Sequence, residues 1–436
     1  MNESDIRTQR KNLFSEDLHI LYSALRYLSR NTADLVSSLS SVEIKFLFRR
    51  LVYLIDRYDH EGIQFEAARL LTNWVCQNGS DGVAIMISMG VVEKMMKVIS
   101  CVQTSVKVRV QAVWCLGNMA DDNVGRKHLQ VNGALEACIQ LFLQCADVTP
   151  TIVVWTIANL CYEHCKSGQS HYKFLPSLKA FSQILDSDDS DRDSIFETCR
   201  GLRNLIEGVG DDMEEMIQAI LDAGCAHRLI QLIAKTKTLD SKDQMLLTAA
   251  IKILGDMMTS NDQQMQVILD AGALAALRDV FGHATPKVAA RCCWILSNVA
   301  AGTKFQRQMI VKCPGLLDVL ILEADHDSIS VRHEATIALC NLLKFGGLDC
   351  LGDSLMPCLY SACLALFDDE ADFALLNIVL EVLAISLRLG DHIPTFLARS
   401  RIEDRLWQLS RESKYDAPDN ELEQFKTKCC KILLFF

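Results

Sequence analysis

One hydrophobic pattern recurs along this chain: a short apolar helix, a small residue, then a second apolar helix. It reads MISMGVVEKMMKVI around Gly90, LQVNGALEACIQLF around Gly133 and KFLPSLKAFSQIL around Pro176. It returns as ILDAGCAHRLIQLI around Gly224, ILDAGALAALRDVF around Gly272 and IVKCPGLLDVLIL around Gly315. Successive marks lie 43, 43, 48, 48 and 43 residues apart. A longer amphipathic helix follows each pair, ending near Asn73, Asn118, Asn159, Asn204, Asp256, Asn298 and Asn341. In RHEATIALCNLL, Ala335, Ala338, Leu339 and Leu342 share one stripe, the spacing of a helix with one buried face.

Each unit is therefore a short helix, a sharp bend, a second helix, a polar loop and a third helix. The loops carry polar runs such as SDDSDRDS and KTKTLDSKDQ, which read as solvated connectors. Three helices in a period of about 40–47 residues is the armadillo arrangement, whereas HEAT units have two. The predicted fold is all-α, an armadillo-repeat solenoid. Residues 1–15 read as a short polar tail and 16–58 as N-terminal capping helices. Residues 59–436 read as the repeat array, closed by NELEQFKTKCCKILLFF. A solenoid needs such caps because its terminal faces otherwise leave core exposed.

Composition narrows the function. Half the residues are hydrophobic, while 7 Pro and 21 Gly are few, which favours long helices around a large core. A net charge of −11 argues against direct nucleic-acid binding and against anionic membranes, and favours basic peptides as partners. Apolar runs such as VAIMISMGVV are too short to span a bilayer. The polar start, MNESDIRTQRKNLFSEDL, is no secretory signal, so the 18 Cys are expected reduced in cytoplasm or nucleus. In CYEHC, Cys161, His164 and Cys165 lack a second pair at zinc-site spacing, so no metal is expected. No Walker loop, dinucleotide fingerprint, HExxH or GxSxG occurs. The expectation is a non-enzymatic, cofactor-free, monomeric protein.

The candidate site is a repeated pair. Trp114/Asn118, Trp155/Asn159 and Trp294/Asn298 each place Trp and Asn four positions apart, on one helix face. If third helices stack side by side, the pairs form a row of indoles beside a row of amides. An amide can donate to a backbone carbonyl and accept from a backbone N–H, so such a row holds an extended peptide by its main chain. Indoles form slots for cationic side chains, a contact worth roughly 0.5–2 kcal/mol. Asp121 and Glu163, at the helix ends, are placed to receive the cationic heads. A lone Trp at a helical position is more often core, but three copies in register with the repeat favour a binding row.

IQFEAARLLTNWVCQ, VQAVWCLGNMADD, VVWTIANLCYE, ETCRGLRNLIEG, TAAIKILGDMMTSNDQQMQVILDAGAL, ARCCWILSNVAAG and VLAISLRLGD resemble successive units of importin-α, the nuclear import adaptor. The resemblance runs from about Gln64 to the C-terminus. It implies a right-handed superhelix of about ten units whose groove binds nuclear localisation signals. By position, Trp114, Asn118, Trp155, Asn159 and Glu163 fall in that family's larger site, and Trp294, Asn298 and Asn341 in its smaller one. Asn73 and Asn204 keep the amide, but Arg69 and Arg200 stand where Trp is usual; Ile337 replaces a third Trp. Lys252 and Asp256 stand where Arg and Asn are usual. The family's basic segment that recruits importin-β is reduced to Arg7, Arg10 and Lys11, so importin-β binding in the usual way is not expected. The expected function is an adaptor for Lys/Arg-rich extended segments in nuclear protein import, in nucleus and cytoplasm. The alternative is an armadillo scaffold of the same descent that holds one dedicated partner without import activity.

Overall fold

The structure is a computed structural model. It describes residues 3–145, 150–162, 171–187, 190–208, 212–237, 240–346, 396–411 and 419–433, with 376–377, 379–381 and 384. All of its regular elements are helical among the described residues. The chain divides into two compact units, Met1–Cys225 and Ala226–Phe436.

Unit 1 holds α1 (Glu3–Asn12), α2 (Leu18–Arg30), α3 (Thr32–Ser37), α4 (Ser41–Ile55), α5 (Glu61–Ser88), α6 (Val91–Ser100) and α7 (Val106–Ala120). It continues with α8 (Asn123–Val131), α9 (Ala134–Cys145), α10 (Pro150–Leu160), α11 (Ser177–Asp186), α12 (Arg192–Gly208) and α13 (Met213–Asp222). α14 (Cys225–Lys235) opens at the seam. Unit 2 adds α15 (Ser241–Met257), α16 (Asp262–Asp270), α17 (Ala273–Val280), α18 (Pro286–Ala301), α19 (Lys304–Lys312), α20 (Leu316–Glu323) and α21 (Ile329–Gly346). Two later helices, α22 (Phe396–Leu409) and α23 (Asp419–Leu433), pack on each other.

The sequence marks fall at the bends between paired helices. Gly90, Gly133, Gly224, Gly272 and Gly315 all have left-handed backbone, with φ of 70°, 74°, 76°, 95° and 73°. A side chain at such a φ meets its own carbonyl, so glycine is the residue that turns the chain there cheaply. Pro176 is different: it sits in ordinary right-handed backbone at the start of α11 (φ −58°). The long α5 is two helices broken at Gly79, so its first part is a third helix and its last part opens the next unit.

Third helices lie side by side. In unit 1, α2 packs on α5, α5 on α7, α7 on α10 and α10 on α12; in unit 2, α15 packs on α18 and α18 on α21. Their inward residues make the core, with Val108, Ala112, Val113 and Leu116 of α7 fully buried. Buried polar groups are tied to backbone: Gln64 Nε2 donates to the Ile55 carbonyl at 2.7 Å and Arg109 Nε to Ile99 at 2.8 Å. The expected polar tail is corrected, because residues 3–12 form α1. α1 packs on α2, and Ile6 and Leu13 are buried despite the polar composition around them. α2 also does more than cap. It stacks on α5 as the third helix of an incomplete first unit.

Trp74 anchors this end. Its indole is buried and meets the Phe48 ring edge-on, with centroids 5.1 Å apart and planes at 83°. Trp74→Ala is expected to cost unit 1 about 3–5 kcal/mol, the usual range for emptying a large aromatic site. Urea denaturation of wild type and variant checks this; an unchanged midpoint would show that Trp74 is not part of the core.

Candidate peptide-binding face

Asn73 on α5, Asn118 on α7, Asn159 on α10 and Asn204 on α12 share one register. Each donates through Nδ2 to a backbone carbonyl of the preceding stacked helix. Asn73 reaches Ser29 at 2.6 Å, Asn118 reaches Thr72 at 3.4 Å, Asn159 reaches Gly117 at 3.2 Å and Asn204 reaches Ala158 at 2.9 Å. Among the described residues, unit 2 repeats the bond once, from Asn341 to Ser297 at 3.1 Å. From Asn118 onward, the acceptor is the residue just before the preceding helix's ladder position. Such a bond contributes roughly 0.5–1.5 kcal/mol net, and more is lost when a buried partner is left bare.

The expected row of open amides is therefore altered. Asn159 and Asn204 are buried, at 3% and 8% exposure. Asn159 is already engaged on both side-chain atoms: a second Nδ2 bond goes to Asp121 Oδ1 at 2.9 Å, and its Oδ1 accepts from Arg200 Nη1 at 2.7 Å. Asn73 and Asn118 are only part-buried, and Asn118 Nδ2 also reaches Cys76 Sγ at 2.9 Å. Asn298 Nδ2 is buried and meets no acceptor among the described residues. The ladder is interrupted there, next to Asp256, which stands at the ladder position of α15. Glu163 lies outside the described residues.

The indoles behave differently from one another. Trp114 is 43% exposed, whereas Trp155 and Trp294 are half-buried. Trp155 lies so close across α7 that a Cβ built on Gly117 would sit 2.2 Å from its ring; the same construction at Gly255 gives 3.0 Å to Trp294. Here sequence reasoning missed two residues. A mid-helix glycine costs about 1 kcal/mol against alanine, so glycine immediately before Asn118 and Asp256 is itself a sign that a flat ring crosses there.

Two arginines enter this face, one bound to the amide row and one lying on an indole. On α12, Arg200 donates to Glu197 at 2.6 Å, to Asn159 Oδ1 and, at 3.2 Å, to the Trp155 carbonyl. On α18, the Arg291 guanidinium carbon lies 3.8 Å from the Trp294 ring centroid. Its Nη2 pairs with Asp256 and lies 3.4 Å from the Lys252 carbonyl. Arg200 thus engages an amide oxygen that a bound peptide would use. Arg69 pairs weakly with Glu66 at 3.4 Å. Ile337 is half-buried on α21 and offers no ring.

Asp121 ends α7 beside this network. Burial by its surroundings pushes its carboxyl above the ordinary carboxylate range, and Arg200 and Arg126 only partly offset that. Elsewhere the chemistry is quiet. Burial pushes the thiols of Cys115, Cys138, Cys161 and Cys199 up to about 12, so they are inert packing groups. Of the CYEHC run, His164 and Cys165 lie outside the described residues. No helix among the described residues is long and apolar enough to cross a membrane.

No protein-family profile matches the chain. An engineered protein of solved structure covers all of it with a TM-score of 0.73 at 22% identity, and 99% of that protein is covered in turn. A structure from work on cadherin and β-catenin covers 99% of the chain and 81% of its own, with a TM-score of 0.67 at 17% identity. The chain has a fold of the armadillo-repeat class. In sequence it is a distant relative of importin α subunits. Rice importin subunit alpha-1a is 29% identical over 278 residues, covering 62% of the chain and 49% of that protein. Rice importin subunit alpha-1b is 28% identical over 248 residues, covering 56% and 43%. Arabidopsis importin subunit alpha-8 is 27% identical over 342 residues, covering 77% and 71%. The chain thus spans about half the length of the rice relatives.

Gly117→Ala is expected to push the Trp155 ring off α7 and to destabilise unit 1 by about 1–3 kcal/mol, as overpacking does. Thermal unfolding with tryptophan emission reads both effects. No change in either would mean that the ring does not rest on Gly117.

Proposed function

We propose that the face formed by α5, α7 and α10 of unit 1 binds extended Lys/Arg-rich segments, and that the protein is an importin-α-like adaptor in nuclear protein import, working in nucleus and cytoplasm. The observation that carries this reading is the open Trp114 indole on α7, on the same helix face as Asp121, which ends that helix two turns further on. The indole offers its ring to an alkyl-ammonium or guanidinium stem, and the Asp121 carboxylate attracts positive charge along the same face. Asn73 and Asn118 keep one acceptor oxygen each for the peptide main chain. The relatives' names support the assignment to import; their full activity comes to this chain only as part of the proposal.

The site is short in this reading. Arg200 ends it at Asn159 by filling the amide acceptor and repelling further positive charge. The second site implied by the resemblance, at Trp294, Asn298 and Asn341, is weak or closed, since Arg291 already lies on the indole and pairs with Asp256. Those same two arginines favour the alternative, a scaffold with one dedicated partner, because they remove two slots a general cargo receptor would keep.

A labelled Lys-rich nuclear-signal peptide is expected to bind, as read by fluorescence anisotropy. Trp114→Ala should weaken it by about 2- to 30-fold, the span of a lost cation–π contact, and Trp114→Ala with Trp155→Ala should remove most of the affinity. Equal binding by wild type and double variant discards the face; no binding by either supports the scaffold. Arg200→Ala should tighten binding of a longer basic peptide.

The pH dependence has a definite sign. A bound cation favours ionised Asp121, so affinity is full above its raised folded pKa and falls as pH drops through it. The fall should therefore begin at higher pH than for an ordinary carboxylate, and Asp121→Asn should remove it. A pH titration of peptide affinity in both proteins checks this, and an unchanged profile would exclude Asp121 from the slot.

A further inference from the structure

One end of unit 1 carries a surface of the opposite charge to the rest of the chain. α4 exposes a single stripe, Val42, Lys45, Phe46, Arg49 and Tyr53, at the spacing of one helix face. Phe46 is 58% exposed and Tyr53 55%, and Phe14, just after α1, is 58% exposed. Arg50 is held between two of these rings, 5.4 Å from the Phe14 centroid and 5.2 Å from Tyr53, and its Nε donates to the Leu13 carbonyl at 2.8 Å. This arrangement joins α1 to α4 and leaves a groove of about 290 Å³ between them. Buried Leu13 and Leu47 form its apolar floor.

The charge around this groove is one-sided. Arg7, Lys11, Lys45 and Arg49 are exposed, and none meets a carboxylate among the described residues. Glu43 is the one carboxylate lining the groove, and it is already committed to Arg10 and to the Ser40 backbone N–H. In a chain of net charge −11, free cations around exposed rings are a local reversal with no folding role visible in the packing. Exposed apolar groups in a charged rim are the ordinary composition of a protein-binding patch.

The geometry points to this α1–α4 groove as a second docking site, for an acidic segment of a partner protein that seats one aromatic or leucine side chain between Phe14 and Phe46. Charge complementarity selects the occupant. Carboxylates flanking the anchor meet Arg7, Lys11, Lys45 and Arg49, while the anchor covers Leu13 and Leu47. A bilayer has no side chain to fill a concave groove of this size, and a phosphate backbone leaves the leucine floor wet. The site is separate from the Trp114 face and selects the opposite charge.

Selection of a random short-peptide display library on the full chain tests the proposal. Acidic peptides with an aromatic or leucine anchor should be enriched. A synthetic copy of one should lose roughly ten-fold in affinity on Phe46→Ala and more on Lys45→Glu with Arg49→Glu, as lost anchors and steering charges do. Lys-rich peptide binding at the Trp114 face, together with circular dichroism, shows whether the variants remain folded. The proposal is overturned if no acidic peptides are enriched, or if those enriched bind the variants as well as wild type. It is also overturned if a polyglutamate peptide, a single-stranded oligonucleotide or phosphatidylserine vesicles bind as tightly with the same sensitivity to substitution.

Discussion

The bond from one asparagine amide to the carbonyl of the helix beside it sets the rest of this site. It fixes the lateral register of neighbouring third helices to one residue. With that register set, an indole from one helix crosses the residue before the ladder position on the preceding helix, and glycine at 117 and 255 gives it room. The carboxylate of Asp121 and the guanidinium of Arg200 then converge on Asn159 from the two adjoining helices. An amide that spans repeats with one N–H keeps its oxygen for something else. At Asn159 that something is the protein itself.

The two units use one device in different states of completion. In unit 1, Trp114 stands open on a helix that ends at Asp121, and Arg200 stands where the next indole was expected. In unit 2, Arg291 lies on its own neighbour's ring and binds Asp256, while Asn298 is left without its carbonyl bond among the described residues. A cation–π contact is worth the same whether its cation arrives in a peptide or belongs to the chain, but the internal one carries no association cost. An arginine already in place is therefore a strong competitor for a slot. In the proposed reading, selectivity follows from which slots the chain leaves empty.

Much of the fold was legible in the sequence. The left-handed bends fall at five of the six marked positions, because a glycine between two apolar stripes has few other uses. The shared face of Trp114 and Asn118 was legible as well, since i and i+4 superpose on any helix. What was not legible lies between repeats. Spacing along one helix does not say which neighbouring carbonyl an amide will reach, so the burial of Asn159 and Asn204 was hidden. Arginine is long enough to cross from α12 to α10, and its choice of partner depends on tertiary distances. α1 was concealed by composition: its one buried isoleucine, with Leu13 just beyond, was too little periodicity against nine polar neighbours to predict a packed helix.

The most direct measurement follows the five tryptophan indole N–H signals by NMR while a Lys-rich peptide is added. The account predicts a large shift at Trp114, a smaller one at Trp155 across Gly117, and still signals from Trp74, Trp294 and Trp407. A shift at Trp294 as large as at Trp114, or a still Trp114 in a peptide-bound protein, would contradict it.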